Sequence, residues 1–241
     1  PSKWGSGRPP PGRPKRVDLG GYVYHVLNRS NGRTPIFRKD GDYEAFLRIA
    51  TQALEHVPGM RLLAYCLMPN HFHLVLWPRA DGELSDFVPW LTLTPTQRWH
   101  AHYRDVGAGH LYQGRYQSFP IAEDDPYFTV GRSVERNALR VGLVGRAEEW
   151  LWGSLARRRS LADGQPLSAG PLALPVQWLR HVNQPQTAAE LEALRRCVQR
   201  GQPFGNDAWV RTTWAALNLE STLVPRGRPR VRPENEPNKG S

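Results

Sequence analysis

Apolar residues recur with two different periods along the chain, and these periods predict the order of its first elements. Residues 21–28 (Gly-Tyr-Val-Tyr-His-Val-Leu-Asn) are rich in aromatic and β-branched side chains, which favour a strand. Over residues 42–56 the apolar positions return at helical spacing, and Pro58, followed by a glycine, marks the end of that helix. Two further apolar runs, 61–67 and 72–77, are separated by turn-forming residues and predict a hairpin.

The pattern continues with a second helix, a last strand and a third helix. Residues 85–103 are helical in pattern, although Pro89 and Pro95 should each break or kink a helix. Residues 115–122 then predict a strand. Acidic residues and a proline follow, as is typical of a helix start, and predict a helix over residues 126–139. The resulting order, β-α-β-β-α-β-α, predicts an α+β fold in which helices pack on an antiparallel sheet.

Glycine and proline separate the C-terminal part of the chain from this domain. Residues 164–175 predict a linker, and shorter helical patterns at 188–200 and 208–217 predict a small helical appendage. The predicted organisation is a basic tail at 1–18, a main domain at 19–160, a helical region at 161–224 and a second basic tail at 225–241.

The net charge of +10 is concentrated at the two ends of the chain. Residues 1–16 hold five basic residues and no acidic one, and residues 225–241 hold five basic against two acidic residues, so the tails carry eight of the ten net charges. Such charge favours a polyanionic partner. There are two cysteines, no N-terminal apolar signal segment and no run of 18 apolar residues. We therefore expect a soluble, reduced protein of the cytoplasm, associated with the nucleoid and not with a membrane.

Both tails contain Gly-Arg-Pro runs, with Arg13 in the first and Arg228 and Arg230 in the second. These runs are similar to the AT-hook, a short extended segment that places an arginine pair in a narrow minor groove of duplex DNA. The alternative is that the tails are disordered and solubilising. The sequence leaves both interpretations open.

The most informative segment for chemistry is His71-Phe72-His73, on the predicted third strand. Residues two apart on a strand point to the same face, so the two imidazoles project together while the phenyl ring enters the opposite face. Two imidazoles on one face can share a metal ion. A His-x-His pair taken alone is more often two half-buried histidines, so the surrounding sequence has to decide between the two interpretations.

Five motifs stand in order along the chain around this pair. They are residues 24–26 (Tyr-His-Val), 36–38 (Ile-Phe-Arg), 68–73 (Met-Pro-Asn-His-Phe-His), 109–116 (Gly-His-Leu-Tyr-Gln-Gly-Arg-Tyr) and 132–144 (Arg-Ser-Val-Glu-Arg-Asn-Ala-Leu-Arg-Val-Gly-Leu-Val). A segment with Trp150 and Trp152 follows. Together these runs resemble the motifs of the REP-associated tyrosine transposases, members of the HUH superfamily that are related to the single-strand transposases of the insertion-sequence 200/605 type. The resemblance extends over residues 19–230.

The resemblance implies a ferredoxin-like antiparallel sheet with helices on one face, and a metal-dependent reaction on single-stranded DNA. In such enzymes two histidines and a polar residue on the last helix hold Mg²⁺ or Mn²⁺ against the scissile phosphate. That polar residue lies four residues after the nucleophilic tyrosine, and residues four apart on a helix share a face. The resemblance therefore implies His71, His73 and Asn137 as metal ligands and puts Ser133 at the tyrosine position.

Serine at position 133 is the main departure from the family pattern, in which a tyrosine attacks phosphorus and forms a reversible 5′-phosphotyrosine. A serine side chain is shorter, and its alcohol ionises far less readily than a phenol, whose pKa is about 10. We therefore expect this chain to be deficient in cleavage. Tyr112, Tyr116 and Tyr127 are alternative nucleophiles, although Tyr127 lies about 120° around the predicted helix from position 133.

The remaining candidates for DNA contacts are basic and aromatic. Four arginines are candidates for contacts with phosphates, namely Arg115, Arg132, Arg136 and Arg140. The last three recur at intervals of four residues, which predicts one basic stripe along the helix; the alternative is a solvated helix face. The two tryptophans of the Trp-Leu-Trp run are expected to pack rather than to stack on bases, and His25 is expected to be structural.

The resemblance implies, as substrate, single-stranded DNA folded into an imperfect palindromic hairpin beside a short guide sequence. The family reaction is cleavage and rejoining of that strand. Two alternatives stay open, a DNA-binding protein that has lost its nucleophile and a metal-dependent nuclease that uses water. We expect a monomer rather than a dimer, with the tails adding affinity for duplex DNA.

Overall fold

The computed structural model of the protein describes residues 18–103, 110–159, 166–217 and 219. The tail arginines Arg13, Arg228 and Arg230 lie outside these residues. The described strands are β1 (Val23–Arg29), β2 (Arg61–Met68), β3 (His71–Trp77) and β4 (Gln117–Ile121). The described α-helices are α1 (Asp40–His56), α2 (Glu83–Tyr103), α3 (Asp125–Glu135), α4 (Asn137–Arg140), α5 (Ser154–Arg159), α6 (Trp178–Asn183), α7 (Ala188–Arg200) and α8 (Asp207–Leu217).

The four strands form one antiparallel sheet in the order β2-β3-β1-β4. With α1 between β1 and β2, and α2 between β3 and β4, this is the ferredoxin-like βαββαβ topology, and the predicted α+β fold is confirmed. The central strands β3 and β1 are paired with neighbours on both sides, which fixes their backbones. Their register places Leu27 opposite His73 and Arg29 opposite His71. The two histidines therefore lie at the start of a central strand, directly after the hairpin turn.

Helices cover both faces of the sheet, which corrects the expectation that they would lie on one face. On the first face, α1 and α2 pack on side chains that alternate with the histidines, including Tyr24 and Phe72. On the second face, α3 packs on β2, β3 and β4 and buries Val130 and Val134 against Val75. The burial of the strands explains this arrangement. Every residue of β1 except the last and every residue of β2 except the first is buried, so helices pack against both faces of the sheet.

Helix α2 is continuous from Glu83 to Tyr103, so the breaks expected at Pro89 and Pro95 do not occur. A proline inside a helix frees the carbonyl group four residues before it. For Pro89 that carbonyl belongs to Ser85, which is exposed, so water can bind the freed oxygen. None of the helices in the described part of the chain is long and apolar enough to cross a membrane.

The helix predicted over residues 126–139 begins at Asp125 and is divided by Arg136 into α3 and α4. Arg136 stays in the right-handed helical region (φ −84°, ψ −5°), so the two parts continue in nearly the same direction. The helix ends at Arg140, and Gly142, the residue after its C-cap, has a φ of +77°, in the left-handed region that glycine favours. The Gly142 N–H donates to Leu139 O, and the Leu143 N–H donates to Ala138 O, which is the Schellman arrangement.

Helix α7, in the C-terminal region that the sequence predicted as a helical appendage, packs into the core on the second face of the sheet. A capping box starts the helix: Thr187 Oγ1 accepts from the Glu190 N–H, and the Glu190 carboxylate accepts from the Thr187 N–H. Leu194 and Cys197 are buried on the second face of the sheet, beside β4. After the helix, Phe204 exchanges backbone hydrogen bonds with the edge of β4 and the residue that follows it.

Candidate functional site

A cleft of about 590 Å³ opens on the second face of the sheet, at the end where β3 begins. Its floor is formed by β1, β3 and β4, one wall by α3 and α4, and the other wall by α7. The structure brings His71, His73, Ser133 and Asn137 together in this cleft. These are the four positions that the sequence predicted to share a site.

The hydrogen bonds of His71 define which of its ring nitrogens is free. Its Nδ1 lies 2.7 Å from Asn70 Oδ1, and Asn70 Nδ2 donates to Arg33 O at 3.1 Å. Because the second bond fixes the orientation of the Asn70 amide, the atom facing His71 is an acceptor. His71 Nδ1 must therefore carry a hydrogen, which leaves a lone pair on Nε2. A neutral imidazole in this tautomer can bind a metal ion through Nε2.

His73 is held by a third histidine, His25, whose role the sequence did not reveal. His25 lies on β1, is 5% exposed, and places its Nε2 2.9 Å from His73 Nδ1. The rings of His73 and His71 lie 5.1 Å apart, centre to centre, at an angle of 80°. His25 was expected to be structural; the structure shows that it contacts a residue of the candidate site. The sequence signal was its place on the predicted first strand, but only the strand register shows which residue it meets.

Burial and arginine side chains keep the two cleft histidines neutral. The pKa of His71 is lowered to about 4, first by burial and then by the positive charges of Arg29 and Arg140. The pKa of His73 is lowered well below its usual range, again chiefly by burial, with contributions from neighbouring histidines and the same arginines. Neutral imidazole is the form that binds metal ions.

The charged residues around the cleft are all basic. Of the described residues that line it, Arg29, Arg115, Arg140 and Arg195 are positively charged, and none is Asp or Glu. All four arginines are exposed. The cleft therefore has a neutral floor and a positive rim, which favours an anionic ligand.

Asn137 is 1% exposed and its amide is oriented by Arg140, whose Nη2 donates to Asn137 Oδ1 at 2.7 Å. A carboxamide oxygen has two lone pairs, so this oxygen keeps one for a second partner. No group of three or more His, Cys, Asp or Glu side chains in the described ranges is placed to hold a metal ion. The two imidazoles and one amide oxygen are a neutral donor set that fits a divalent cation whose remaining ligands come from water or a phosphate.

Ser133 lies on α3, one turn before Asn137, and lines the cleft half-buried. None of the three alternative tyrosines is among the residues that line it. Tyr127 packs in the second-face core with its hydroxyl against Gly170, and its pKa is raised by burial. Tyr112 and Tyr116 pack against the first-face core, and burial also raises the pKa of Tyr112. A phenol that is buried and held away from the cleft is poorly suited to attack a phosphate there.

The four arginines predicted to contact phosphates divide into two pairs. Arg115 and Arg140 line the cleft, as expected for such contacts. Arg132 and Arg136 do not line it: Arg132 donates to Gln184 O and Pro185 O, and Arg136 donates to Val182 O and Asn183 O. These carbonyl groups form the negative C-terminal end of α6 and the residues just after it, which attracts guanidinium groups. The prediction of one basic stripe is therefore corrected, because these two side chains join α3 to α6.

A buried carboxylate holds α3 in position beneath the cleft. Glu135, 2% exposed, accepts from Ser154 Oγ at 2.5 Å, from Arg158 Nε at 3.1 Å and from Trp178 Nε1 at 2.6 Å. These partners come from α5 and α6, so one side chain ties three helices together. Because Ser133 and Asn137 flank Glu135 on the same helix, this network orients both.

The tryptophans of the Trp-Leu-Trp run pack against the protein, as the sequence predicted. Trp150 Nε1 donates to Leu67 O at 2.9 Å, and Trp152 stacks on Tyr43 with the ring centres 4.7 Å apart. Neither is among the residues that line the cleft.

Fold and site together define the class of the protein. An antiparallel βαββαβ sheet whose central strand carries a His-hydrophobe-His pair, facing a helix with Asn137 one turn after position 133, is the arrangement of an HUH-type transposase. Residues 19–137, just under half of the chain, match the family model described as "Transposase IS200 like".

The solved structures that are similar to the chain include two that are described as transposases, whereas no curated protein matches its sequence. A REP-associated tyrosine transposase bound to a REP hairpin is 15% identical, with a TM-score of 0.50, and the match covers 73% of this chain and 99% of that one. At this identity the match supports the fold alone. A protein of Deinococcus radiodurans R1 described as a candidate transposase is 24% identical over 47% of this chain and 87% of its own, with a TM-score of 0.34.

Proposed function

We propose that the chain binds single-stranded DNA, folded into a palindromic hairpin with a single-stranded flank, and that it cannot cleave this DNA because Ser133 occupies the position of the family's nucleophile. The observation that carries the proposal is the position of Ser133 in the cleft beside His71, His73 and Asn137, while the three alternative tyrosines lie elsewhere. A serine hydroxyl there is shorter and less acidic than a phenol. Binding and catalysis are thus separable in this chain.

The charge of the cleft supports a nucleic-acid ligand. Four exposed arginines surround it, and no acidic side chain is among its described lining residues. Arginine is suited to phosphate because its planar guanidinium donates two parallel hydrogen bonds. The structure of the hairpin-bound REP-associated transposase, which shares the fold, supports a hairpin as the form of DNA to test first.

The same residues suit a divalent cation, Mg²⁺ or Mn²⁺, as the family resemblance implies. His71 and His73 would bind it through Nε2, and Asn137 through Oδ1. A cation bound there would polarise a phosphate and stabilise charge that develops on its oxygens. The other contributions come from the chain itself: Asn70 and His25 hold the imidazoles, and Arg140 orients Asn137.

The sequence left two alternative functions open, a DNA-binding protein that has lost its nucleophile and a metal-dependent nuclease that uses water. The first agrees with this proposal, and the second is disfavoured. A DNA-binding protein without its nucleophile is what the proposal describes for the chain as it stands. A nuclease that activates water needs a general base close to the phosphate. The described cleft residues include no carboxylate, and the imidazoles of His71 and His73 are the candidate metal ligands. The predicted monomeric state, the duplex-binding tails and the location at the nucleoid remain part of the proposal.

The test compares the unaltered chain with Ser133→Tyr and Ser133→Phe. Each is incubated with Mn²⁺ and a panel of labelled single-stranded hairpins, and covalent protein–DNA adducts are then resolved on a denaturing gel. We expect hairpin binding by all three proteins and an adduct with Ser133→Tyr alone, because phenylalanine fills the same space without a hydroxyl. An adduct with the unaltered chain would overturn the proposed deficiency, and failure of the unaltered chain to bind any hairpin would overturn the proposed ligand.

A further inference from the structure

Helix α7 forms one wall of the cleft although it lies outside residues 19–137, the segment that matches the transposase family. Leu194 and Cys197 are buried and attach the helix to the sheet, so its position does not depend on a ligand. With that attachment, Arg195 and Gln199, one turn apart, both line the cleft. The wall opposite Ser133 and Asn137 is therefore fixed and polar at two successive turns.

Arg195 faces a second arginine across the cleft. The pKa of the Arg140 guanidinium is lowered, first by partial burial and then by the positive charge of Arg195. The acidic partner of Arg195 is Glu192, at 3.9 Å, in a solvent-exposed pair that contributes little. Two guanidinium groups that line one cleft, with no acidic side chain among its described lining residues, are stabilised when an anion binds near both of them.

The surroundings of this arginine pair favour a nucleotide over a small inorganic anion. Leu191 and Val198 on α7, and Val141 after α4, line the same cleft beside the two arginines. Apolar side chains next to guanidinium groups can take the face of a base while the guanidiniums take its phosphate. The cleft has the volume of a small-molecule site, which suits one or two nucleotides of a single strand and not a duplex.

We propose that α7 is a DNA-binding element of the site, in which Arg195 and Arg140 hold one phosphate of the single-stranded flank and Gln199 contacts the adjoining base. This inference rests on the proposed function, since it assigns the strand path within the same cleft. It gives the C-terminal region a direct part in substrate binding. The flank, rather than the duplex stem of the hairpin, is the part of the DNA that α7 contacts.

The chain offers a matched control for the test, because Arg196 is the next residue of α7, is also exposed, and does not line the cleft. Arg195→Gln and Arg196→Gln remove the same charge from the same helix. Binding of a fluorescent hairpin with a single-stranded flank is measured by anisotropy at several salt concentrations, and again with a blunt hairpin. Circular dichroism melting checks that both variants fold as the unaltered chain does.

We expect Arg195→Gln to weaken binding of the flanked hairpin about tenfold and to reduce the salt slope by about 0.7, the value for one single-strand phosphate contact. Arg196→Gln should stay within about twofold of the unaltered chain, and Arg195→Lys should keep most of the slope. Equal affinities for the two glutamine variants, or an equal loss with the blunt hairpin, would overturn this inference and leave the proposed function intact. If the unaltered chain bound no hairpin at all, this inference and the proposed function would both be wrong.

Discussion

Nε2 of His25 lies 2.9 Å from Nδ1 of His73, so the tautomer of a histidine inside the His-hydrophobe-His pair is coupled to that of a histidine outside it. Either ring can donate this hydrogen bond. If His73 donates, its Nε2 keeps a lone pair for a metal ion; if His25 donates, His73 Nε2 carries a hydrogen and cannot bind one. If His73 donates, Nδ1 of His25 carries a hydrogen. Nδ1 of His25 is buried and has no hydrogen-bond partner among the described residues, and the His25 ring packs against the ring of Phe119.

His25→Leu should therefore weaken Mn²⁺ binding by about tenfold or more, since groups that orient metal-ligating histidines commonly contribute that much. His25→Gln should retain most of the affinity, because a glutamine side-chain oxygen can accept from His73 Nδ1. Mn²⁺ binding is followed by electron paramagnetic resonance in the presence of hairpin DNA, without any need for cleavage. Equal affinities for His25→Leu and the unaltered chain would show that His25 does not orient His73.

The lowered pKa values of the cleft histidines predict that stability falls as the pH decreases below neutrality. The pKa of His71 is about 4 in the folded chain, whereas an unfolded histidine titrates near about 6.5. Between these values the unfolded chain binds more protons, so the free energy of unfolding decreases as the pH is lowered through this window. Burial lowers the pKa of His25 to about 3, which acts in the same direction.

Thermal melting at pH 7 and pH 5 measures this effect. The melting temperature of the unaltered chain should be lower at pH 5, and His71→Gln should show a smaller decrease because one of the protonatable groups is gone. A melting temperature that is unchanged, or higher at pH 5, would contradict the burial of neutral imidazoles in the cleft.

Local patterns were sufficient to predict the four strands and the longer helices, but not the short helices α5 and α6. The hairpin between β2 and β3, the helix end near Gly142 and the bounds of α7 depend on residues that are neighbours in sequence, and all three were predicted within a few residues. The family motifs indicated four residues that the structure brings into one cleft. In each case the information lies in spacing along the chain.

The contacts between distant elements could not be predicted in this way. His25 and His73 are 48 positions apart, and Arg136 and the end of α6 are 46 to 47 positions apart. Periodicity shows which face of an element is apolar, but not which element covers it. For the same reason the sequence did not reveal that α7 covers the second face of the sheet and forms a wall of the cleft.

We expect the arginines that join α3 to α6, Arg132 and Arg136, to affect stability, and the arginines that line the cleft, Arg115 and Arg140, to affect DNA binding. Arg132→Ala should reduce the free energy of unfolding by about 1.5–3 kcal/mol, because it removes a buried guanidinium whose hydrogen bonds join α3 to the residues just after α6. Arg115→Gln should leave stability nearly unchanged and weaken hairpin binding, because Arg115 is exposed and lines the cleft. Urea unfolding and anisotropy measure the two quantities. If Arg132→Ala weakened DNA binding without loss of stability, Arg132 would contact DNA and not α6.

Glu135→Gln tests whether the buried carboxylate positions the helix that carries Ser133 and Asn137. Glutamine keeps the size of the side chain but removes the charge that Arg158 and Trp178 approach, and breaking a buried ion pair costs about 3–5 kcal/mol. The matched control is Glu44→Gln, which removes a carboxylate paired with Arg48 on the solvent-exposed surface of α1, where the cost should be below about 0.5 kcal/mol. Both are measured by urea unfolding. If the two variants lost the same small amount of stability, the network around Glu135 would not be what holds α3 against α5 and α6.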